Sequence, residues 1–139
     1  MKTTLNSVSV IVDNSQQLEQ AIVRIILESL SLYICSIYLP PNSDAALYEA
    51  HSSCVHQIFE RADQGDLVIA IGDYNLPHLD WRFDDDTNSL LPVNASSEQE
   101  IVLVEKLLSI GLQQINNLKN FNERLLDLAL TNVPENFFA

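Results

Sequence analysis

A chain of 139 residues with 19 acidic and 7 basic side chains carries a formal net charge of −12. That balance excludes tight, sequence-indifferent nucleic-acid binding, which depends on Lys and Arg neutralising phosphates. Hydrophobic content of 47% and charged content of 19% exclude a disordered chain and fit one globular domain, read as residues 1–139. No window approaches the roughly 18 consecutive apolar residues of a membrane span. The opening MKTTLNSVSVIVDNSQQ lacks a sustained apolar run and a small-residue cleavage site, so a cytoplasmic or nuclear protein is expected. The acidic excess leaves room for an enzyme that uses a divalent cation, because carboxylates bind the cation and the cation bridges to phosphate.

SVSVIVD (7–13) alternates Val8, Val10 and Val12, the pattern of a strand with one buried face. QAIVRIILE (20–28) and SLYICSIYL (31–39) are β-branched and aromatic runs split by a short polar break, which predicts a hairpin. Pro40-Pro41 stops its second strand, since proline donates nothing to a ladder. Ser43 is positioned to cap a helix over 44–62, with Leu47, Cys54, Ile58 and Ala62 along one side. Residues 63–66 turn around Gly65, and DLVIAIG (66–72) is apolar at every second and intervening position, as in a strand covered on both faces.

Residues 74–96 show no period and read as a long loop, a kind that is often functional in compact domains. Ser97-Glu98-Gln99-Glu100 fits a capping box for a helix with Ile101, Val104 and Leu108 on its apolar face and Gly111 just past its end. LQQIN (112–116) and RLLDLALT (124–131) complete the order β-β-β-α-β-loop-α-β-β, a mixed α/β layered domain rather than a parallel doubly wound sheet. Cys35 and Cys54 fall in a strand-like and a helix-like run and are expected as buried thiols in a reducing compartment.

Chemistry-bearing residues gather at GDYNLPHLDW (72–81). Asp73 and Asn75 are two apart, so a strand continuing that far aims both side chains to one face. A carboxylate beside a carboxamide there suits a metal, a water or a phosphate oxygen, with Asp as base and Asn as donor. The competing reading is that both cap a turn, where Asp and Asn are favoured. Asp127 interrupts the run Leu125, Leu126, Leu128, Leu130. Either it faces solvent, or it is buried and needs a partner such as a histidine that it orients. Tyr38, just before Pro40-Pro41, offers a hydroxyl at a strand end, though packing alone also accounts for it. Asp84, Asp86 and Asn88 match the first EF-hand ligand positions, but Ser89 replaces the turn glycine and Ala95 the closing glutamate. His51 and His56 are spaced wrongly for one helical metal face and are read as surface or partial core.

YLPP (38–41), GDYNLPHLDW, SSEQE (96–100), GLQQIN (111–116) and RLLDLALTN (124–132) together resemble the endonuclease domain of non-LTR retrotransposons, especially the insect-type elements in which it precedes a reverse transcriptase. That domain belongs to the endonuclease/exonuclease/phosphatase superfamily, with apurinic/apyrimidinic endonucleases. The resemblance runs from about residue 20 onward. It implies a four-layered α/β sandwich of mixed β-sheets flanked by helices, and magnesium-dependent cleavage of a DNA phosphodiester by an activated water. It also implies Asp73 as the catalytic aspartate near water and metal, Asn75 and Tyr38 as phosphate contacts, and Asp127 as the aspartate that orients the catalytic histidine.

The departures from the family pattern weigh as much. The family's strands carrying an asparagine and a metal-binding glutamate lie upstream of the matched segments, and neither Glu19 nor Glu28 is assigned the glutamate's role. The family ends on a Ser-Asp-His segment, whereas this chain ends on Asn136-Phe137-Phe138-Ala139. The expectation is therefore a partial sandwich truncated at both ends, with an incomplete Mg²⁺ site at Asp73 and little or no nuclease activity. DNA is then a weak partner, given the charge. The alternative is a non-catalytic binding module on the same core, self-associating through uncovered sheet surface.

Overall fold

The computed structural model describes the backbone of residues 5–11 and the whole of residues 18–134. Residues 12–13 of the first expected strand, the facing of Val8, Val10 and Val12, and residues 136–139 lie outside the described part. Among the described residues, eight strands form one mixed sheet: β1 (Leu5–Ile11), β2 (Glu19–Leu27), β3 (Ser31–Tyr38), β4 (Leu67–Asp73), β5 (Trp81–Asp84), β6 (Ser89–Pro92), β7 (Gln113–Gln114) and β8 (Asp127–Thr131). Their lateral order is β1-β2-β3-β4-β8-β7-β6-β5. Among the described residues only β3 and β4 pair in parallel, and the crossover such a pair requires is α1 (Ala45–Arg61). The other pairs are antiparallel.

The expected hairpin is β2–β3, its turn closed by Leu27 N–H donating to the Leu30 carbonyl. Along β3 every second side chain is buried (Tyr33, Cys35, Ile37), matched by Val68 and Ala70 on β4 and Leu128 and Leu130 on β8. These residues join Tyr48, Val55 and Ile58 of α1 and Val102, Leu103 and Leu107 of the second helical segment in one core. Both helical segments thus cover the same face of the sheet. The intervening strand positions, Val23, Ile25, Leu32, Ile34, Ile69 and Ile71, point the other way and stay half-buried or exposed. The described residues therefore build two layers, helices on a sheet, of the four the resemblance implies. Asp66 ties down the far end of the sheet: its buried carboxylate accepts from Ser31 N–H at 2.8 Å and from Asp63 N–H at 2.9 Å, around the turn at Gly65 (φ 92°).

Several expectations need correction. Ser43 does not cap α1; its hydroxyl donates to the Pro40 carbonyl, and the cap position is Asp44, whose side chain makes no capping bond. DLVIAIG is buried on one face only, since Ile71 is 43% exposed. Residues 74–96 are not one loop, because β5 and β6 form a hairpin there across an Asp-rich turn. Four-residue strands are too short to display a period, and Leu90 opposite Gln114 is the one register pair joining β6 to β7. The second helix opens at Glu98 as expected, but it passes from α2 (Glu98–Val102) through a π-helical turn (Leu103–Leu107) into a 3₁₀ turn (Leu108–Ile110). The wider π turn shifts the helical phase, so Val102, Leu103 and Leu107 are buried while Ile101 is exposed. Strand β7 is two residues long because the buried Gln114 side chain takes over ladder positions, accepting from Asn116 N–H at 2.8 Å and Ala129 N–H at 3.1 Å.

Candidate functional site

The polar residues that end the central strands stand in register. Glu19 of β2 pairs with Tyr38, Tyr38 with Asp73, and Asp73 with Asp127. Directly paired residues share a face, and strand alternation places this row on the face away from the helices. Three of the four expected site residues, Tyr38, Asp73 and Asp127, are therefore side by side. Tyr38 is 42% exposed, and Asp127 is also exposed, so the solvent-facing reading of Asp127 is the one found. Asp127 lines a groove of about 490 Å³ with Ile71, Gly72, Ile115, Asn116, Leu128 and Ala129.

Asn75 is placed differently from its expectation. The strand ends at Asp73, and Asn75 adopts a left-handed backbone at φ 47° instead of continuing the alternation. Its N–H donates to Asp73 Oδ1 at 3.0 Å, and its Nδ2 donates to the Leu39 carbonyl at 2.7 Å. The turn-capping and site-forming readings thus coexist: the carboxylate caps the turn through one oxygen while the row of strand ends holds its Cα. Partial burial raises the Asp73 pKa above its ordinary value, and the neighbouring Asp127 charge adds to this, while the Asn75 N–H pulls the other way.

Gly72 makes this strand end possible. At φ 155° its Cα lies so close to β3 that an added Cβ would stand 1.8 Å from the Ile37 carbonyl oxygen. The contact brings β3 and β4 together where Tyr38 and Asp73 need to be neighbours.

Behind the row lies a buried polar chain that the sequence did not reveal. Tyr74 is fully buried and its hydroxyl lies 2.8 Å from His51 Nε2; His51 Nδ1 lies 3.0 Å from Gln20 Oε1. A carboxamide oxygen only accepts, so Nδ1 carries the ring proton and Nε2 accepts from the tyrosine. His51 is completely buried, not surface or partial core, and burial lowers its pKa to about 4. His56 is half-buried and reaches the Lys106 carbonyl with Nε2 at 2.6 Å. The inward stripe Tyr48, His51, Val55, Ile58 was the available signal for His51. For Glu19, the signal was a hairpin centred between Glu28 and Ser29, which sets Glu19 opposite Tyr38.

As donors for a metal ion, Asp73 and Asp127 are hard oxygen ligands of the kind magnesium takes. Among the described residues, however, no group of three or more His, Cys, Asp or Glu side chains is spaced to hold a metal. The donor type fits and the donor number falls short.

The mixed α/β sheet with helices on one face is of the endonuclease/exonuclease/phosphatase type. Residues 32–137 match the profile of the endonuclease-reverse transcriptase family, and the chain belongs to that family. No curated protein matches its sequence. Among solved structures, the endonuclease domain of TRAS1, a telomere-specific non-LTR retrotransposon, superposes with a TM-score of 0.55 at 14% identity, over 88% of this chain and 53% of that one. A humanized D. rerio TDP2 gives 0.56 at 14% identity over 93% and 51%. A truncated Caenorhabditis elegans TDP2 gives 0.50 at 14% over 93% and 52%. At these identities the likeness concerns the fold, and the chain spans about half the length of the structures it matches. Among the described residues, no helix is long and apolar enough to cross a membrane.

Proposed function

We propose that this chain carries the aspartate–asparagine portion of a magnesium-dependent DNA phosphodiesterase site and is a weak or inactive nuclease by itself. The observation that supports this reading is the alignment of Tyr38, Asp73 and Asp127 across three adjacent strand ends, with Asn75 two residues beyond Asp73. Asp73 and Asp127 would contribute carboxylates towards a magnesium ion whose remaining ligands are not among the described residues, and such an ion would supply positive charge to the site. As a carboxylate at a partly open strand end, Asp73 is of the chemical type that accepts a proton from water. Asn75 donates an amide hydrogen to Leu39 and its side chain also reaches Asp73, so contacting a phosphate oxygen would mean redirecting one of these bonds. The Tyr38 hydroxyl offers another donor on the same face.

Weak activity follows from the partners of Asp127. His51 is locked in the core, His56 is bound to Lys106, and His78 lines the groove beside Asn75 rather than the one Asp127 lines. Losing one member of a catalytic unit removes most of the rate. Nicking of supercoiled plasmid with magnesium tests the proposal. The expected rate equals that of Asp73→Ala; nicking that Asp73→Ala abolishes would show the chain to be an active enzyme. A magnesium titration followed by NMR tests the metal itself, with shifts expected at Asp73 and Asn75.

A second reading is a non-catalytic module that binds a copy of itself. Its supporting observation is the apolar face opposite the helices, where Ile71 is 43% exposed among half-buried Val23, Ile25, Ile34 and Ile69. A concentration-dependent dimer without a magnesium response favours it.

A further inference from the structure

We propose that Tyr74 and His51 are positioning residues that fix the geometry of Asp73 and Asn75 from inside the core, an inference that rests on the site reading above. Tyr74 lies between the two site residues and is anchored at every polar atom. Its N–H donates to the Leu126 carbonyl at 2.9 Å, its carbonyl accepts from the Tyr48 hydroxyl, and its own hydroxyl donates to His51 Nε2 at 2.8 Å. Its ring meets the His51 ring edge-on, with centroids 5.3 Å apart and planes at 64°. His51 is held in turn by Gln20 Oε1, which also accepts from Cys35 Sγ at 3.8 Å. The chain of bonds thus ties β2, β3 and α1 to the one residue whose peptide groups set the direction of Asp73 and the left-handed turn of Asn75.

Packing alone does not account for this arrangement. A buried imidazole, carboxamide and phenol carry a desolvation cost that apolar side chains of similar volume avoid. That cost is visible, since Gln20 Nε2 is buried without a hydrogen-bond partner. What the polar chain adds over a greasy core is direction. A phenylalanine at 74 leaves the tip of the ring held by packing alone, whereas the hydroxyl–imidazole bond pins that tip to His51. The left-handed Asn75 is an unfavourable backbone state for a residue with a Cβ, and it persists because the residue before it is held on both sides.

The test uses the full ¹⁵N-labelled chain with Tyr74→Phe, Tyr48→Phe and, as a stability control remote from the chain of bonds, Leu107→Ala. Two signals are read: hydrogen exchange at the Asn75 side-chain amide, and manganese-induced broadening at Asp73 and Asn75. Tyr74→Phe and Tyr48→Phe should each speed exchange at the Asn75 amide and weaken apparent manganese affinity roughly tenfold, the size of effect typical of groups that orient ligands. Leu107→Ala should lower the melting temperature and change neither signal. Unchanged Asn75 exchange in both tyrosine variants, or an equal change in Leu107→Ala, overturns the proposal. If the unmodified chain shows no manganese effect at Asp73, the metal reading fails, while the Asn75 exchange rates still decide the positioning role. Should Tyr74→Phe not fold, Tyr48→Phe carries the same comparison through the Tyr74 carbonyl.

Discussion

At the residue scale, Gly72 and His51 lie against or behind the strand ends, and each makes a separate prediction. Gly72 sits where any side chain meets backbone: its Cβ would lie 1.8 Å from the Ile37 carbonyl oxygen, which no rotamer change relieves. Gly72→Ala is expected to cost about 3 kcal/mol or more, at the upper end for overpacking, measurable by urea unfolding. A loss under about 1 kcal/mol would mean that β3 and β4 separate easily there. His51 makes a prediction about pH. Burial lowers its folded pKa to about 4 from 6.5, so between those values the unfolded chain binds the proton and the folded chain does not. Stability is therefore complete above the unfolded value and falls as the pH drops toward the folded one. From about pH 7 to about pH 5 the chain should lose about 2 kcal/mol more than His51→Gln, whose side chain does not titrate. Parallel unfolding curves for the two proteins would show that the imidazole is not held neutral.

At the scale of elements, some parts were legible in the sequence and others were not, for physical reasons. The β2–β3 hairpin, α1 and β4 were readable as elements because each is a long run of one character; burial follows a clear period along β3 and α1, whereas the continuous apolar run of β4 concealed its one-sided burial. The candidate site residues stood out because GDYN and RLLDLALT carry polar side chains where an apolar strand stops. Their arrangement was not. Asn75 leaves the strand in a left-handed turn, and whether Asp127 is buried depends on β8 starting at Asp127 rather than at residue 124. The β5–β6 hairpin was hidden by its shortness, and the π turn by a phase shift that a fixed period cannot express. The helix start was legible down to its capping bonds, with one difference. Ser97 Oγ accepts from Glu100 N–H at 3.1 Å, but the Glu100 carboxylate returns to Ser96 N–H at 3.0 Å rather than to the cap residue itself. Ser97→Ala should cost about 1 kcal/mol, and Ser97→Gly less, by thermal or urea unfolding. Equal stability of Ser97→Ala and the unmodified chain would mean that Glu100 alone closes this end.

At the scale of the whole molecule, the net charge of −12 and the open apolar face pull in opposite directions, and salt separates them. Two copies meeting through Ile71 and its neighbours bring like charges together, and the acidic row at Glu19, Asp73 and Asp127 adds to the repulsion if both copies place it at the same end. Packing the sheets with strands running oppositely moves the two rows apart but leaves the overall charge. Screening weakens that repulsion, with a Debye length of about 10 Å at 0.1 M that shortens as salt rises. Self-association should therefore strengthen as salt is raised from about 0.05 to about 0.5 M in sedimentation velocity, and Ile71→Asp should abolish it. DNA binding would have the opposite sign, because any Lys or Arg contact to phosphate competes with salt cations. A chain that dimerises more at high salt and shifts DNA at no salt concentration is an interaction module. One that binds DNA only at low salt with magnesium, and loses that binding in Asp73→Ala, uses its strand ends as a phosphate site. If Ile71→Asp leaves a salt-strengthened dimer intact, the open face is not the contact surface.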